Sequence, residues 1–358
     1  MLPFFLLLIH LTLTFSSSID LVPLVSSFPK TEFFDVDQTN MCFDHQMTTS
    51  ATFGPSEFNL HIVAGKNAYD VAWSHVHDSS KFRSSMVQSI KHFRIALETC
   101  LNHEHDSKQH MDQVMWNLGV TIAYVDCRLA VVDFYKFDIA KSWNDALILP
   151  IQRSMMNKKL AQANAKNGLI IECGVGGGTT INIIHNELLK LGDTTTTIHG
   201  FDSFMGLPSS WGGKGSLISK QFPAGYFSLN GEPPKNLPSR VELHVGMIDK
   251  TMPRFIEKQL KEVDSNSYIL FLHVDVDIYT SAFEVLASCV CLFIKGTVIE
   301  FDEALGYLDY KTSGEYKAFM EIVDLFDIKW KPVTTFKMRM SVEIVSKNNL
   351  PACIKGVY

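Results

Sequence analysis

The chain has 358 residues, 46% of them hydrophobic, and a formal net charge of −6. That is enough apolar material for one large α/β domain with a smaller segment attached. A mildly acidic chain without a long basic run offers no electrostatic footprint for nucleic acid, so no nucleic-acid partner is expected.

Residues 1–15 are almost wholly apolar and run into Ser16, Ser17 and Ser18. The run is short for a transmembrane helix. With small residues after it, it reads as a signal peptide over 1–18, although no Lys or Arg precedes the apolar core. The expected location is the secretory pathway or the exterior, with a cytoplasmic chain as the alternative, and no stable membrane span. Two features pull against secretion. The chain holds no Asn-x-Ser/Thr sequon, and its seven cysteines are an odd number without framework spacing. Cys173, Cys289 and Cys291 fall in apolar runs and read as buried free thiols. Cys42, Cys100, Cys127 and Cys353 remain to pair in an oxidising compartment, in an order that spacing does not fix.

Residues 19–75 are mixed and turn-rich, with no assignable role. From Ser80 the pattern is helical, with Phe82, Met86, Ile90, Phe93, Leu97 and Leu101 recurring every three or four residues. A second helical run carries Val114, Leu118, Ile122, Val125 and Leu129. A third follows Ser142 and is interrupted at Pro150. These stripes predict a mainly helical region over 19–160 that packs on the C-terminal half of the chain.

From Leu169 short apolar strands alternate with helical stretches, the signature of a parallel α/β sheet over 161–358. The strands are expected at 169–172, 197–202, 241–245, 268–274 and 296–301. The fourth is apolar throughout, as a strand buried on both faces should be. The chain ends differently, with strands at 328–336 and 338–345 and no helix between them. In the second, Met338, Met340, Val342 and Ile344 alternate with Lys337, Arg339, Ser341 and Glu343.

In a doubly wound sheet the ligand lies at the carboxyl ends of the strands. The first strand ends in Glu172-Cys173-Gly174-Val175-Gly176-Gly177-Gly178 and opens a helix at Thr179. Glycines there let backbone approach a ligand, and an acid can accept hydrogen bonds from a ligand amine or hydroxyl. The second strand ends in Asp202-Ser203-Phe204, the position from which ribose hydroxyls are held. The third ends in Gly246-Met247-Ile248-Asp249, the fourth in His273-Val274-Asp275-Val276-Asp277, and the fifth in Asp302-Glu303. Apart from the third, whose Asp249 comes later in the turn, four of these five ends carry a carboxylate, which a fold alone does not require because clustered acids repel; helix capping is the simpler alternative for each. A dinucleotide fingerprint fails, since Thr179 or Ile181 stands where its third glycine belongs. A phosphate-binding Walker loop fails because no Gly-Lys-Ser/Thr comes after the glycines. Asp275, Asp302 and Glu303, from neighbouring strand ends, suit an oxygen-ligated divalent cation such as Mg²⁺. Asp277 ranks lower, and His273 is either a satisfied histidine near the site or a general base.

These motifs, together with Gly206-Leu207-Pro208, Trp211 and Glu315-Tyr316-Lys317-Ala318-Phe319, carry a resemblance across about half of the chain. Residues 168–345 resemble class I S-adenosylmethionine-dependent methyltransferases, and within them the macrocin O-methyltransferase (TylF/MycF-like) family. The resemblance implies a Rossmann-like doubly wound seven-stranded sheet with a terminal antiparallel hairpin, and a helical N-terminal segment that shapes the acceptor site or a homo-oligomer. It implies S-adenosylmethionine as cofactor, bound by Glu172, Gly174, Gly176, Gly178 and Thr179, with Asp202 and Ser203 toward the ribose and Gly246, Met247 and Ile248 beside adenine. It implies Mg²⁺ on Asp275, Asp302 and Glu303; Glu303 stands where the antibiotic-sugar enzymes of that family carry Asp. Asp275 would also move the acceptor's proton, with His273 as the substitute base. The acceptor would be a hydroxyl of a small molecule or sugar, and residues 208–237 a lid. The alternative is a secreted binding protein that keeps the fold without catalysis.

Overall fold

The computed structural model describes residues 55–102, 107–160, 167–211, 222–261, 267–307 and 309–348. The signal-peptide expectation over 1–18 lies outside them. Three helices come first, α1 (Pro55–Ser74), α2 (Ser79–Asn102) and α3 (Ser107–Cys127), which passes into a π-helical turn at Arg128–Asp133; α4 (Trp143–Leu160) follows the first short strand. The strands are β1 (Asp138–Ile139), β2 (Asn167–Cys173), β3 (Ile198–Asp202), β4 (Val241–Val245), β5 (Ser267–Val274), β6 (Val298–Phe301), β7 (Ile328–Phe336) and β8 (Arg339–Lys347). Helices α5 (Thr179–Lys190), α6 (Ile248–Lys261), α7 (Tyr279–Cys289) and α8 (Gly314–Leu325) lie between the later strands.

The strands form one sheet in the order β1-β7-β8-β6-β5-β2-β3-β4. Strands β4, β3, β2, β5 and β6 are mutually parallel, and β8 runs antiparallel to both β6 and β7. This is the expected doubly wound α/β sheet with its terminal antiparallel hairpin, and β8 is inserted between β6 and β7. The eighth strand, β1, is an addition to the expected seven: two residues that pair with Thr334 and Thr335 at the edge of β7. Two residues are too few to show a period of two, so sequence periodicity passes over β1.

Three further differences have local causes. Helix α1 falls in the stretch without an assignable role, because Leu60, Val63 and Val71 face outward and break the apolar stripe. Helix α4 runs through Pro150 without ending. Its buried side, Ala146, Leu147, Ile151 and Met155, packs on the sheet and offsets the lost hydrogen bond, about 3 kcal/mol. Cys173 and Cys289 are buried free thiols as expected, but Cys291 is disulfide-bonded; it lies in a 3₁₀ turn just past α7 and is only partly buried. Cys127, left among the pairing candidates, is a buried free thiol.

Among the described residues one helical stretch, Val114–Asp133, is long and apolar enough to cross a membrane. Most of it is buried within the protein: Cys127, Val131 and Val132 join the core beneath β7 and β8, and Tyr124 packs edge-on against Tyr69 and Trp73 of α1. Strand β5 is buried from Tyr268 onward and forms the centre of the core.

Candidate functional site

The five parallel strands end along one edge, and the turns that leave them line a cavity of about 840 Å³. Ligand pockets run from roughly 300 to 1,000 Å³, so this one has room for a nucleoside and a second molecule. Gly174, Gly176, Thr179, Asp202, Ser203, Met247, Ile248, Asp275, Asp302 and Glu303 all line it. Glu172, Gly178, Gly246 and His273, also expected at the site, do not.

The glycine turn is built by close approach of two strand ends. Gly174 donates its N–H to Phe201 at 2.8 Å, and Asp275 donates its own to Cys173 at 2.9 Å. Gly174 has φ +86°, and a Cβ there would lie 1.7 Å from the Asp275 carbonyl oxygen, so no other residue fits. Gly176 and Gly177 leave open space where a side chain would stand. Helix α5 begins immediately beyond, and its N-cap Gly178 supplies no side chain to cap the first turn. Asp202 holds this turn in place: Gly176 donates to its Oδ2 at 2.8 Å and Phe204 to its Oδ1 at 2.7 Å. Each oxygen keeps a second lone pair for a ligand hydroxyl.

Residues 222–231 close the side of the cavity. Leu229 and Gly231 donate to the Phe204 carbonyl, and Leu207 donates to Tyr226. Gly206, at φ +77°, lets the two segments touch; a Cβ there would lie 2.2 Å from the Tyr226 carbonyl. Phe227, Ser228 and Leu229 then face the cavity.

Glu172 is fully buried behind Thr180, whose hydroxyl donates to its Oε1 at 2.5 Å. Burial pushes its pKa up, and its Oε2 has no partner. Glu172, His273 and Glu300 are register neighbours across β2, β5 and β6. His273 Nε2 lies 2.9 Å from Glu300 Oε2, an ion-pair distance without hydrogen-bond alignment. Burial works against charge on His273, but Glu300, Asp302 and Glu172 outweigh it and push its pKa well above the ordinary imidazole value. Fully buried and outside the cavity lining, His273 is not placed as a base that reaches a ligand.

Arg339, at the start of β8, pairs with Glu300 Oε1 at 3.1 Å and with Asp302 Oδ1. Its guanidinium also lies over the Trp143 ring, 4.6 Å from the centroid. The alternation along β8 does not mark an exposed polar face: Arg339, Ser341 and Glu343 are all buried. Arg153 of α4 reaches Glu343 at 2.6 Å, which explains how that acid is tolerated.

Asp275, Asp302 and Glu303 bring one carboxylate oxygen each to within 4.8 Å of one another. Burial and then the charge of Asp302 raise the pKa values of Asp275 and Glu303 well above the usual range. Burial opposes charge on Asp302 too, but His273 and Arg339 keep its pKa low. Glu303 Oε2 is buried without a partner. Three converging acids with an orphaned oxygen fit a hard divalent cation. Asp277 also lines the cavity, at φ +59°, its pKa raised to about 7 by burial and Asp302.

Sequence reasoning missed several of these groups. Thr180 is adjacent to the motif and has no signal of its own. Glu315, at the start of α8, accepts the N–H groups of Val276 and Glu303, each at 3.1 Å, and so ties together the two loops that carry the acids. Arg339 and Glu300 look like ordinary strand residues.

No protein-family model matches the chain, and no curated protein matches its sequence. Among solved structures the chain is similar to the calicheamicin methyltransferase CalS11, at 16% identity and a TM-score of 0.42, over 67% of this chain and 94% of that one. It is similar to the O-methyltransferase NovP at 15% identity and a TM-score of 0.42, over 66% of this chain and 100% of that one. A putative class I S-adenosylmethionine-dependent methyltransferase from Listeria monocytogenes is similar at 11% identity and a TM-score of 0.29, over 84% and 90%. Superpositions this loose carry no information about chemistry, which has to be read from this chain's own residues.

Proposed function

We propose that the chain is an S-adenosylmethionine-dependent O-methyltransferase acting on a hydroxyl of a small molecule or sugar with the help of Mg²⁺. One observation carries this: the glycine turn after β2, Asp202 and the three acids Asp275, Asp302 and Glu303 are walls of one cavity. S-adenosylmethionine, when bound, supplies a methyl group on a sulfonium. Asp202 accepts hydrogen bonds from its ribose, and the open faces of Gly176 and Gly177 accommodate its methionine portion. Met247 and Ile248 flank the base. Glu172 acts through Thr180, fixing the first turn of α5. Asp275, Asp302 and Glu303 would hold a divalent cation, whose positive charge would favour an ionised acceptor hydroxyl. Asp275 would receive the acceptor's proton at its carboxylate, and the shared cavity would hold acceptor and cofactor side by side for the in-line displacement that methyl transfer requires.

Calorimetric titration with S-adenosylhomocysteine, with and without Mg²⁺, tests the cofactor half, and an acceptor screen tests the rest. Absence of heat with both S-adenosylmethionine and S-adenosylhomocysteine would remove the proposal. A second reading, a binding protein that keeps the fold, has the Arg339–Asp302 pair in its favour, because the arginine already puts positive charge beside the acids. Cofactor binding that is indifferent to Mg²⁺, with no turnover of any acceptor, would favour it. A secretory location belongs to both readings, supported by residues 1–18 and the disulfide at Cys291; recovery of a tagged full-length chain only from the cytosol would count against it.

A further inference from the structure

Away from the cavity, two histidines bring ring nitrogens together near the edge of the sheet. His199 on β3 is the register partner of Glu242 on β4, and Phe201 is the partner of His244. Side chains two apart on a strand share a face, so all four stand on the same face of two adjacent strands. His199 Nδ1 lies 3.2 Å from His244 Nε2. Glu242 spans both rings: its Oε2 is 3.9 Å from His199 Nδ1, and its Oε1 is 3.9 Å from His244 Nε2. One ligand atom from each residue falls within 4.8 Å of the others.

Aromatic packing holds the rings. Phe255 of α6 lies 4.6 Å from His199 and 4.9 Å from His244 between centroids, and Phe201 stacks on His244 at 4.3 Å. Two imidazole nitrogens bound at about 2.0–2.1 Å to a tetrahedral ion stand roughly 3.3 Å apart. The observed spacing matches that distance, and a modest rotation of each ring turns its nitrogen from the other ring toward a shared ion. The Glu242 side chain is 61% exposed and can turn inward by rotation alone.

We propose that His199 Nδ1, His244 Nε2 and a Glu242 carboxylate oxygen form a binding site for a late first-row divalent cation, with Zn²⁺ as the reference ion, which clips edge strand β4 to β3. Two imidazoles and one carboxylate select such an ion over Mg²⁺, which prefers the all-oxygen set at Asp275, Asp302 and Glu303. Solvent supplies the remaining ligand position on the exposed side. The Lys258 ammonium, close enough to act on both rings, works against a cation, which makes the Glu242 charge necessary. None of the three ligands lines the cavity, so the site stands apart from the proposed methyl transfer. Without metal the same geometry is a single N–H···N bond between the rings.

The test is a Zn²⁺ titration of chelator-stripped full-length protein in saturating Mg²⁺, followed by calorimetry and thermal unfolding. The expected result is a Zn²⁺-binding event that raises Tm. Glu242→Gln, at an exposed position, should weaken it about 10-fold or more. His244→Gln should remove one equivalent, with the metal-free Tm showing that the fold persists. No Zn²⁺ uptake by the wild type, or the same equivalents and affinity in Glu242→Gln, would overturn the site. Zn²⁺ held elsewhere, as at the His61–His92 contact, would survive both substitutions and count as that second outcome.

Discussion

The α-carbon of Gly174 passes so close to the carbonyl oxygen of Asp275 that a methyl group on it would lie 1.7 Å from that oxygen. The first glycine of the turn after β2 and the first of the three clustered acids are thus fixed by one backbone contact. Gly174→Ala combines a steric clash with a positive φ. It should cost about 2 kcal/mol or more in denaturant unfolding and abolish S-adenosylhomocysteine binding. Wild-type binding by this variant would show that the contact is not needed for the site.

Asp275→Asn removes one of three mutually repelling carboxylates. Methyl transfer should fall at least ~100-fold while S-adenosylhomocysteine affinity changes little. Metal-free stability should hold or rise, because the repulsion seen in the raised pKa values of Asp275 and Glu303 is relieved. Parallel activity and melting measurements check both halves, and retained activity in the presence of chelator would argue against the metal.

Mg²⁺ should stabilise the folded chain, since Glu303 Oε2 is buried and unpartnered without it. At 100 times its Kd an ion that binds only the folded state adds about 2.7 kcal/mol. The increase in Tm should disappear in Asp275→Asn, and a Tm insensitive to Mg²⁺ in the wild type would contradict the site.

Glu315→Ala leaves the N–H groups of Val276 and Glu303 without their acceptor. Each unsatisfied buried donor costs about 1–3 kcal/mol, so a loss of about 3 kcal/mol is expected. Glu315→Gln retains one oxygen and should lose about half as much. Equal losses for the two would mean that packing, rather than the two hydrogen bonds, is what Glu315 provides.

Acid should destabilise the chain partly through Asp193. It accepts hydrogen bonds from Arg240 at 2.9 Å, Lys158 at 3.0 Å and Thr196. Burial opposes its charge, but Thr196 and Lys158 prevail and hold its pKa below the ordinary 3.8. A carboxylate with a depressed folded pKa binds more protons when unfolded. Its contribution is therefore complete above about pH 4 and is lost as pH falls below that. Asp193→Asn should cost about 3 kcal/mol at neutral pH and flatten the stability profile below pH 4. A profile as steep as that of the wild type would assign the acid sensitivity elsewhere.

Much of the candidate site was legible because it sits on local motifs. The turn from Glu172 to Gly178 comes directly after an apolar strand, and every expected strand from β2 to β8 lies within one or two residues of its observed bounds. Of the two readings open for His273, burial favours the histidine behind the site over the general base. Its sequence neighbours are apolar, and the acids beside it, Glu172 and Glu300, come from β2 and β6. Pro150 misled for the same reason, since a helix buried against a sheet tolerates a proline that an isolated helix would not.

The sequence by itself determined the order of strands and helices, the glycine turn, and the row of acids at the strand ends. These depend on residue type and spacing within a few positions, which the chain carries wherever it lies. Only the tertiary structure decided which groups face the cavity and which stand behind it. Strand β8 is inserted antiparallel between β6 and β7, so its first residue arrives at the edge where the parallel strands end. That inversion sets Arg339 beside Asp302 across 37 residues of chain. Neither periodicity nor composition encodes such a pair, because its energy exists only once the sheet has closed around it.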